Sequence, residues 1–599
     1  MQANDTSFSN VLGAFQYEIP YFQRSYVWKQ EQIVKFQEDM LYVSNEYAKY
    51  LSVQQRFEYF MGTIISKAIP SNTGYQVLDL VDGQQRITTF AVFFKVMSLV
   101  YGNPAIFDNA FKFPHGFPNS ITVTKLVSSA ADQPIMDKIY ATTSNVALDK
   151  NGAAIPANKK WSKRSMHPLY VAYNMFRDFL EDLQSKNQFV NPDHIVNGVK
   201  FINMTLSGND DAQVYFDNIN SLGVRLTTSA IVKNYIFTHN ASGLQQYTNQ
   251  WAPVFEGTNN KYWNGDGSRT NLDEFLFCYL QAKTYDPALA VSKADKTLYS
   301  RRDGVANHIK DLCDRYMLGN KNILLNEIIL YAGIYSKIVA ENIGEKRTLG
   351  NKQTVDDMLT RMGYLIMKLK ASTMIPYLLF LVNKNVACPN NTLEILQYLE
   401  SYLVRRSLID SNADNFNKFF REILIAKNVL TLQDLKNELN SSNNRSTDMP
   451  TDAKILAGYN VCDYEGDNET PKALLYLLEL ELCKQNHSQV SPFEPDKYTL
   501  EHLMPQKLEL QYWPGPDQTE DHVYKIGNMG LLTQSLQSII KNRGWNDKLN
   551  GYNGKPGINL CCQGLFTMQA VTSQTQWNNS IIDTRTQQIV KAIISIWKA

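Results

Sequence analysis

The chain has 599 residues, 44% of them apolar and 20% charged, with 59 Lys and Arg against 58 Asp and Glu for a net charge of +1. That balance excludes wholesale disorder and predicts roughly three to four domains with real cores. It excludes a net-basic chromatin-type binder but says nothing of local basic patches. The N-terminus is polar, and Lys95, Lys368 and Lys370 interrupt the apolar helical runs before they reach the ~20 residues that span a bilayer. Cysteines are scattered with no C-x-x-C pair, which argues against a zinc ribbon or a disulfide framework. The chain reads as cytoplasmic, with no membrane partner.

The pattern along the chain predicts an α+β, largely helical protein in three regions, 1–245, 246–435 and 436–599. In the first, Phe15–Ile19 alternates apolar and polar as a half-buried strand does. Phe60–Ile65 and Tyr75–Leu80 read as two more strands joined by a turn at Pro70–Gly74. Asp82–Arg86 opens an apolar helix that runs to Val100, and the Asn-, Pro- and Lys-rich stretch 103–165 reads as an insertion. The second region is helical by period, with Met358, Met362, Leu365 and Leu369 on one face and Leu393, Leu396, Leu399 and Leu403 on another. The Gly- and Asn-rich segment 256–270 is a candidate hinge into it. The third follows a polar linker, 439–470. It holds a strand at Tyr498–His502, a second at Ile526–Thr533 and a helix from Gln534 to Asn542.

Two stretches of the first region carry chemistry. Ile19-Pro20-Tyr21-Phe22-Gln23-Arg24-Ser25-Tyr26-Val27-Trp28 sets Gln23 and Arg24 among aromatic residues. Leu80-Val81-Asp82-Gly83-Gln84-Gln85-Arg86 places a glycine turn before a helix start, where free N–H groups and the positive dipole end attract anions. Gln84 and Gln85 supply neutral donors and Arg86 a bidentate fork for phosphate. Asp82 either holds a metal or caps the helix. A plain capped helix start with a surface arginine competes at even odds on spacing alone. Tyr26 and Trp28 taken alone read more readily as core than as a base-stacking platform.

In the third region Glu501-His502 closes a strand, Pro505 follows, and Gly527-Asn528 opens the next strand before a helix. This order suits a one-metal nuclease, in which a histidine takes a proton from water and a hard divalent cation on oxygen ligands stabilises the phosphate. A lone Glu-His pair is weak evidence, because most histidines are structural or exposed.

Together these motifs resemble the GmrSD-type modification-dependent restriction endonucleases. IPYFQRSYVW resembles the family's I-P-x-Y-Q-R-x-Y-x-W motif, with Phe22 where the family has Tyr, and DGQQRITT matches its D-G-Q-Q-R-x-T-T. Phe60–Ile64 resembles its F-x-G-x-I strand, and Phe216–Thr227 with Lys233-Asn234 its Asn-Gly loop, with Ala230 where Asp is usual. EHLMPQ, Trp513, GNMGLL, the Gly544–Lys548 segment and the Trp577–Arg585 helix resemble its C-terminal nuclease motifs, and Arg405-Arg406 with Asn415–Lys418 its R-R…N-x-x-K signature.

The resemblance implies a ParB/sulfiredoxin-like N-terminal domain, a helical connector and a C-terminal ββα-metal (HNH) domain. It implies nucleoside triphosphate binding and hydrolysis at Asp82, Gly83, Gln84, Gln85, Arg86, Gln23 and Arg24. DNA contact would fall to Tyr26, Trp28, Arg405, Arg406 and Lys418. His502 would be the general base, Asn528 would orient it, and Glu501, Gln537 and Asn542 would hold Mg²⁺ or Mn²⁺. The expected partner is double-stranded, modified phage DNA, cut in phage defence; a homo-oligomer is compatible. Gln537 stands where the family has Asn, so a nucleotide-gated DNA-binding module with a degenerate nuclease site is the alternative. An NTPase that depletes nucleotide is a weaker third reading.

Overall fold

The computed structural model describes residues 2–11, 13, 15–52, 57–69, 75–113, 123–206, 227–237, 241–265, 270–339, 349–409, 418–440, 447–459, 463–486, 497–509, 511–513, 515 and 519–599. The turn expected at 70–74, most of the 216–227 loop and residues 415–417 lie outside the described residues. The chain divides into two compact units, Met1–Gln250 and Trp251–Ala599. Each mixes helices with strands, the helices dominating.

In the first unit, β1 (Gln2–Ser7), β2 (Phe15–Glu18), β3 (Tyr59–Ile69), β4 (Gln76–Asp82), β5 (Leu126–Val127) and β6 (Val199–Leu206) form one mixed sheet. Their order is β1-β6-β3-β4-β2-β5. β3 is its centre, antiparallel to β4 and parallel to β6. β1 adds to the far side of β6, Gln2 facing Thr205 and Ser7 facing Lys200. The helices used below are α1 (Gln30–Ser52), α2 (Gln84–Val100) and α3 (Pro168–Ser185). α2 is largely apolar because it is largely buried, with Ile87, Phe90, Phe93, Phe94 and Met97 in the core between the sheet and α3. The stretch 103–165 is more than an insertion. β5 pairs with β2 through Tyr17 and Leu126, and Met136, Ile139 and Leu148 enter the same core.

The second unit holds α4 (Asn271–Tyr285), α5 (Val355–Lys368), α6 (Ile375–Lys384), α7 (Pro389–Arg406) and α8 (Glu469–Gln485). It ends in β7 (Tyr498–His502), β8 (Met529–Thr533), α9 (Gln534–Ile540), α10 (Trp545–Asn550) and α11 (Asn579–Ile596). The polar linker is partly structured, since Asp452–Gly458 is a helix capped by Thr451. α5 packs on both α7 and α8, and α7 touches α11. At that junction Arg361 is fully buried, its Nη2 2.8 Å from Glu400 and 2.8 Å from Glu481. Lys352 reaches the same carboxylates at 3.2 and 2.9 Å, and the Trp597 indole N–H donates to Glu400 at 2.6 Å. No helix among the described residues is long and apolar enough to cross a membrane.

Candidate functional site

In the first unit the two arginine-bearing motifs interlock. β4 ends at Asp82, Gly83 turns at φ 96°, and α2 starts at Gln84. The turn demands glycine twice over. Its φ is left-handed, and a Cβ would sit 3.1 Å from the Ile64 side chain. No side chain caps this helix start, so Asp82 is not a cap. Asp82 instead lies 3.8 Å from Arg86. The Arg86 guanidinium lies against Gly62, where a Cβ would come within 3.2 Å of it, and donates to the Thr63 carbonyl at 2.7 Å.

Gln85 accepts from the Val27 N–H at 2.9 Å and donates to the Ser25 carbonyl at 3.4 Å, which ties the first motif to the second. Gln23 Nε2 donates to the Leu80 carbonyl at 2.9 Å, so its Oε1 points away from that bond. The buried Oε1 atoms of Gln23 and Gln84 have no hydrogen-bond partner among the described residues. Burial lowers the Arg24 pKa and the Asp82 charge opposes that shift. This corner brings together Gln23, Arg24, Asp82, Gly83, Gln84, Gln85 and Arg86, the residues that the resemblance names.

Tyr26 is not available for stacking. It is buried, its hydroxyl pairs with Thr89 at 2.8 Å and its N–H donates to Asp132 at 2.8 Å. Trp28 is partly buried against Phe36, 6.2 Å between ring centroids. Tyr26 is tied up in packing rather than offered to DNA, while Trp28 packs only in part on the core. Ala230 is buried in the first turn of the helix Thr228–Ile236, whose cap is Thr227. Phe22 stacks on Phe237 at 6.4 Å.

In the second unit β7 and β8 pair antiparallel, Glu501 facing Gly530 and His502 facing Met529. α9 follows β8 directly and lies against β7, giving strand, strand and helix around one corner. The His502 ring meets Tyr524 edge-on at 5.8 Å, and its buried Nε2 has no hydrogen-bond partner among the described residues. Burial first, then the charge of Lys548, lowers its pKa to about 4, so the ring is neutral at pH 7 and a weaker base than a free imidazole.

Asn528 is fully buried and makes no side-chain bond to His502. Its Oδ1 accepts from the Met504 N–H at 2.8 Å and the Trp577 indole at 2.9 Å, while Nδ2 donates to the Met504 and Val523 carbonyls at 2.8 and 2.9 Å. With the Leu503 N–H donating to its own carbonyl at 2.8 Å, Asn528 fixes the loop after His502. It therefore acts on the histidine through the backbone and not by touching the ring.

Glu501 is buried with both oxygens engaged, Oε1 by Lys548 Nζ at 2.8 Å and Oε2 by Gln537 Nε2 at 3.0 Å. Asn542 is exposed beyond the end of α9, after the left-handed Lys541, and does not bond Glu501. It is not brought to the corner with Glu501 and Gln537. No group of three or more His, Cys, Asp or Glu side chains suited to a metal occurs among the described residues.

Arg405 and Arg406 are buried, which corrects their expected DNA contact. Arg405 donates to the Pro450 and Trp597 carbonyls, each at 2.8 Å, and pairs with Asp452 at 2.5 Å, so it stitches α7 to the segment before α8. Lys418 is exposed.

Sequence reasoning gave no role to Lys548, Trp577 or Arg585. Buried Arg585 donates to the Gly527, Met529 and Thr567 carbonyls at 2.5, 2.7 and 3.1 Å. It binds α11 under the β8 start, where a Cβ on Gly527 would fall 2.2 Å from the Ile582 carbonyl. These partners are far apart in sequence, and no spacing rule reveals them.

The family model for the N-terminal domain of GmrSD restriction endonucleases matches residues 7–237, the part that carries the interlocked arginine motifs. The model for the C-terminal domain of the same enzymes matches residues 449–592, the part that carries the strand–strand–helix corner. No curated protein matches the chain. With both domains present in their expected order, the chain belongs to the GmrSD restriction endonucleases.

Proposed function

We propose that this restriction endonuclease cuts modified double-stranded phage DNA with a divalent cation at its C-terminal corner, and that a nucleoside triphosphate at the N-terminal corner governs the cutting. The observation that carries the nuclease half is the buried His502 Nε2 with no hydrogen-bond partner among the described residues, at a strand–strand–helix corner beside Glu501. The donor set there supports a hard cation, because the carboxylate of Glu501 and the side-chain oxygen of Gln537 are the ligand type that Mg²⁺ and Mn²⁺ prefer. When bound, the ion supplies charge stabilisation for the scissile phosphate. His502 takes the proton from the attacking water, and Asn528 holds the loop that aims it.

The uncapped N–H groups of α2, the two guanidiniums of Arg24 and Arg86 and the unpartnered Gln23 and Gln84 oxygens support a triphosphate at the other corner. The arginines would pair with phosphate, and the glutamine oxygens suit hydroxyl or amino donors of the ligand. Arg86→Ala is expected to weaken nucleoside triphosphate binding about 10- to 100-fold, as loss of a charged hydrogen-bonding partner does. Titration calorimetry on the folded variant checks this, and unchanged affinity would remove Arg86 from the site.

The deciding experiment is cleavage of modified and unmodified phage DNA with Mg²⁺ or Mn²⁺, with and without nucleoside triphosphate. Metal-dependent cutting that responds to nucleotide and modification is the expected result. The engagement of both Glu501 oxygens by protein donors favours the second reading, a nucleotide-gated DNA-binding module. Nucleotide-dependent DNA binding with no cutting under any of these conditions would select it.

A further inference from the structure

We propose that Lys548 is an internal cation on Glu501 that a divalent ion must displace, so that metal loading waits for DNA. The inference rests on the metal-dependent reading above and adds a residue and a control to it.

Lys548 is fully buried on α10, with its ammonium 2.8 Å from Glu501 Oε1 and 3.1 Å from the His502 carbonyl. The other Glu501 oxygen is taken by the amide nitrogen of Gln537, which also donates to the Leu500 carbonyl at 3.2 Å. The nitrogen of Gln537, not its oxygen, therefore faces the carboxylate. The one carboxylate expected for the metal holds an ammonium on one oxygen and an amide N–H on the other.

α10 holds that arrangement. Trp545 stacks on Trp577 at 4.7 Å and 22°, the Trp545 indole donates to the Gln574 carbonyl at 3.1 Å, and Leu549 is buried. A divalent ion arriving at Glu501 meets a fixed like charge within a few ångströms, and the carboxylate that would attract it is already neutralised. A DNA phosphate lodged beside His502 brings the missing negative charge. It can take up the Lys548 charge and free Glu501, so DNA and metal bind with positive coupling, each strengthening the other.

Mn²⁺ binding to the full chain, followed by calorimetry and by electron paramagnetic resonance of free Mn²⁺ without DNA, tests this. Lys548→Met is expected to bind Mn²⁺ about 10-fold or more tightly than wild type, since a nearby like charge is gone. Lys548→Gln keeps a donor to Glu501 without the charge and is expected to tighten binding in the same direction. Glu501→Gln is expected to abolish binding in every background. His502→Ala, which leaves Lys548 in place, is expected to bind Mn²⁺ about 10-fold more tightly with a short duplex DNA than without it. Unchanged or weaker Mn²⁺ binding in the folded lysine variants, with the Glu501→Gln loss intact, overturns the proposal and leaves the metal site standing. Should both lysine variants fail to fold, absence of a DNA effect in His502→Ala overturns it instead. Mn²⁺ binding that survives Glu501→Gln removes the metal site itself.

Discussion

His502→Ala is expected to lower the rate of DNA cleavage by about 10²- to 10⁴-fold, the usual contribution of a positioned general base. The buried Nε2 of the ring has no hydrogen-bond partner among the described residues, and the ring is uncharged at pH 7. Nothing has to leave it before a proton arrives. Its neighbours do not share the task. Asn528 spends its side-chain bonds on Met504, Val523 and Trp577, and Glu501 is held by Lys548 and Gln537. The variant should therefore keep its fold and its DNA affinity while losing the chemical step. Single-turnover cleavage with enzyme in excess isolates that step, and thermal unfolding checks the fold. A rate within threefold of wild type would dismiss His502 as the base. Asn528→Ala should behave differently, losing activity and stability together, because four hydrogen bonds of a buried side chain go at once.

The second large effect concerns stability. Arg361→Ala is expected to destabilise the second unit by about 3–5 kcal/mol, the range found when one partner of a buried ion pair is removed. Arg361 and Glu400 are 0% and 1% exposed, so water cannot replace the lost partner. Burial pushes the Glu400 carboxyl up, but Arg361 and Lys352 outweigh it and hold its pKa below the ordinary value. A lowered carboxyl pKa means that this contribution is present above the unfolded-state value and is lost as pH falls through the folded one. Urea unfolding at pH 7 measures the loss, and repeating it at about pH 3, below the ordinary carboxyl value, should shrink the gap between wild type and variant. An Arg361→Met, Glu400→Leu double variant should recover much of the stability, since apolar residues of similar volume replace such pairs well. A loss under 1 kcal/mol for Arg361→Ala would mean that Lys352 alone satisfies Glu400 and Glu481.

Local patterns in the sequence were good guides where the structure is local. The strand at Phe15, the run into Asp82, the helix to Val100 and the strand ending at His502 all follow from period and turn residues, and the corner of Gln23, Asp82 and Arg86 follows from two motifs on those elements. What was not legible depends on partners distant in sequence. Arginine pairs look alike whether they face phosphate or, like Arg405, three groups of a buried seam. Tyr26 reads as core from its residues alone, and the Thr89 and Asp132 contacts bear that out against the DNA contact the resemblance implied. Asn528 carries a nuclease asparagine's position, but its work is on the loop backbone. Lys548 is unremarkable in sequence because the carboxylate it neutralises lies on another element.

The pairing of β1 and β3 with β6 also bears on synthesis. β3 sits at the centre of its sheet, yet one of its two partners is made only after the chain from Ile69 to Val199. At ordinary ribosomal speed that leaves one edge of β3 without its partner for on the order of 10 s. During that interval the nascent chain offers the kind of open strand edge that recruits other chains. Slowing translation within this stretch should lower the soluble yield of the protein, and fragments that stop before Leu206 should collect chaperones rather than fold.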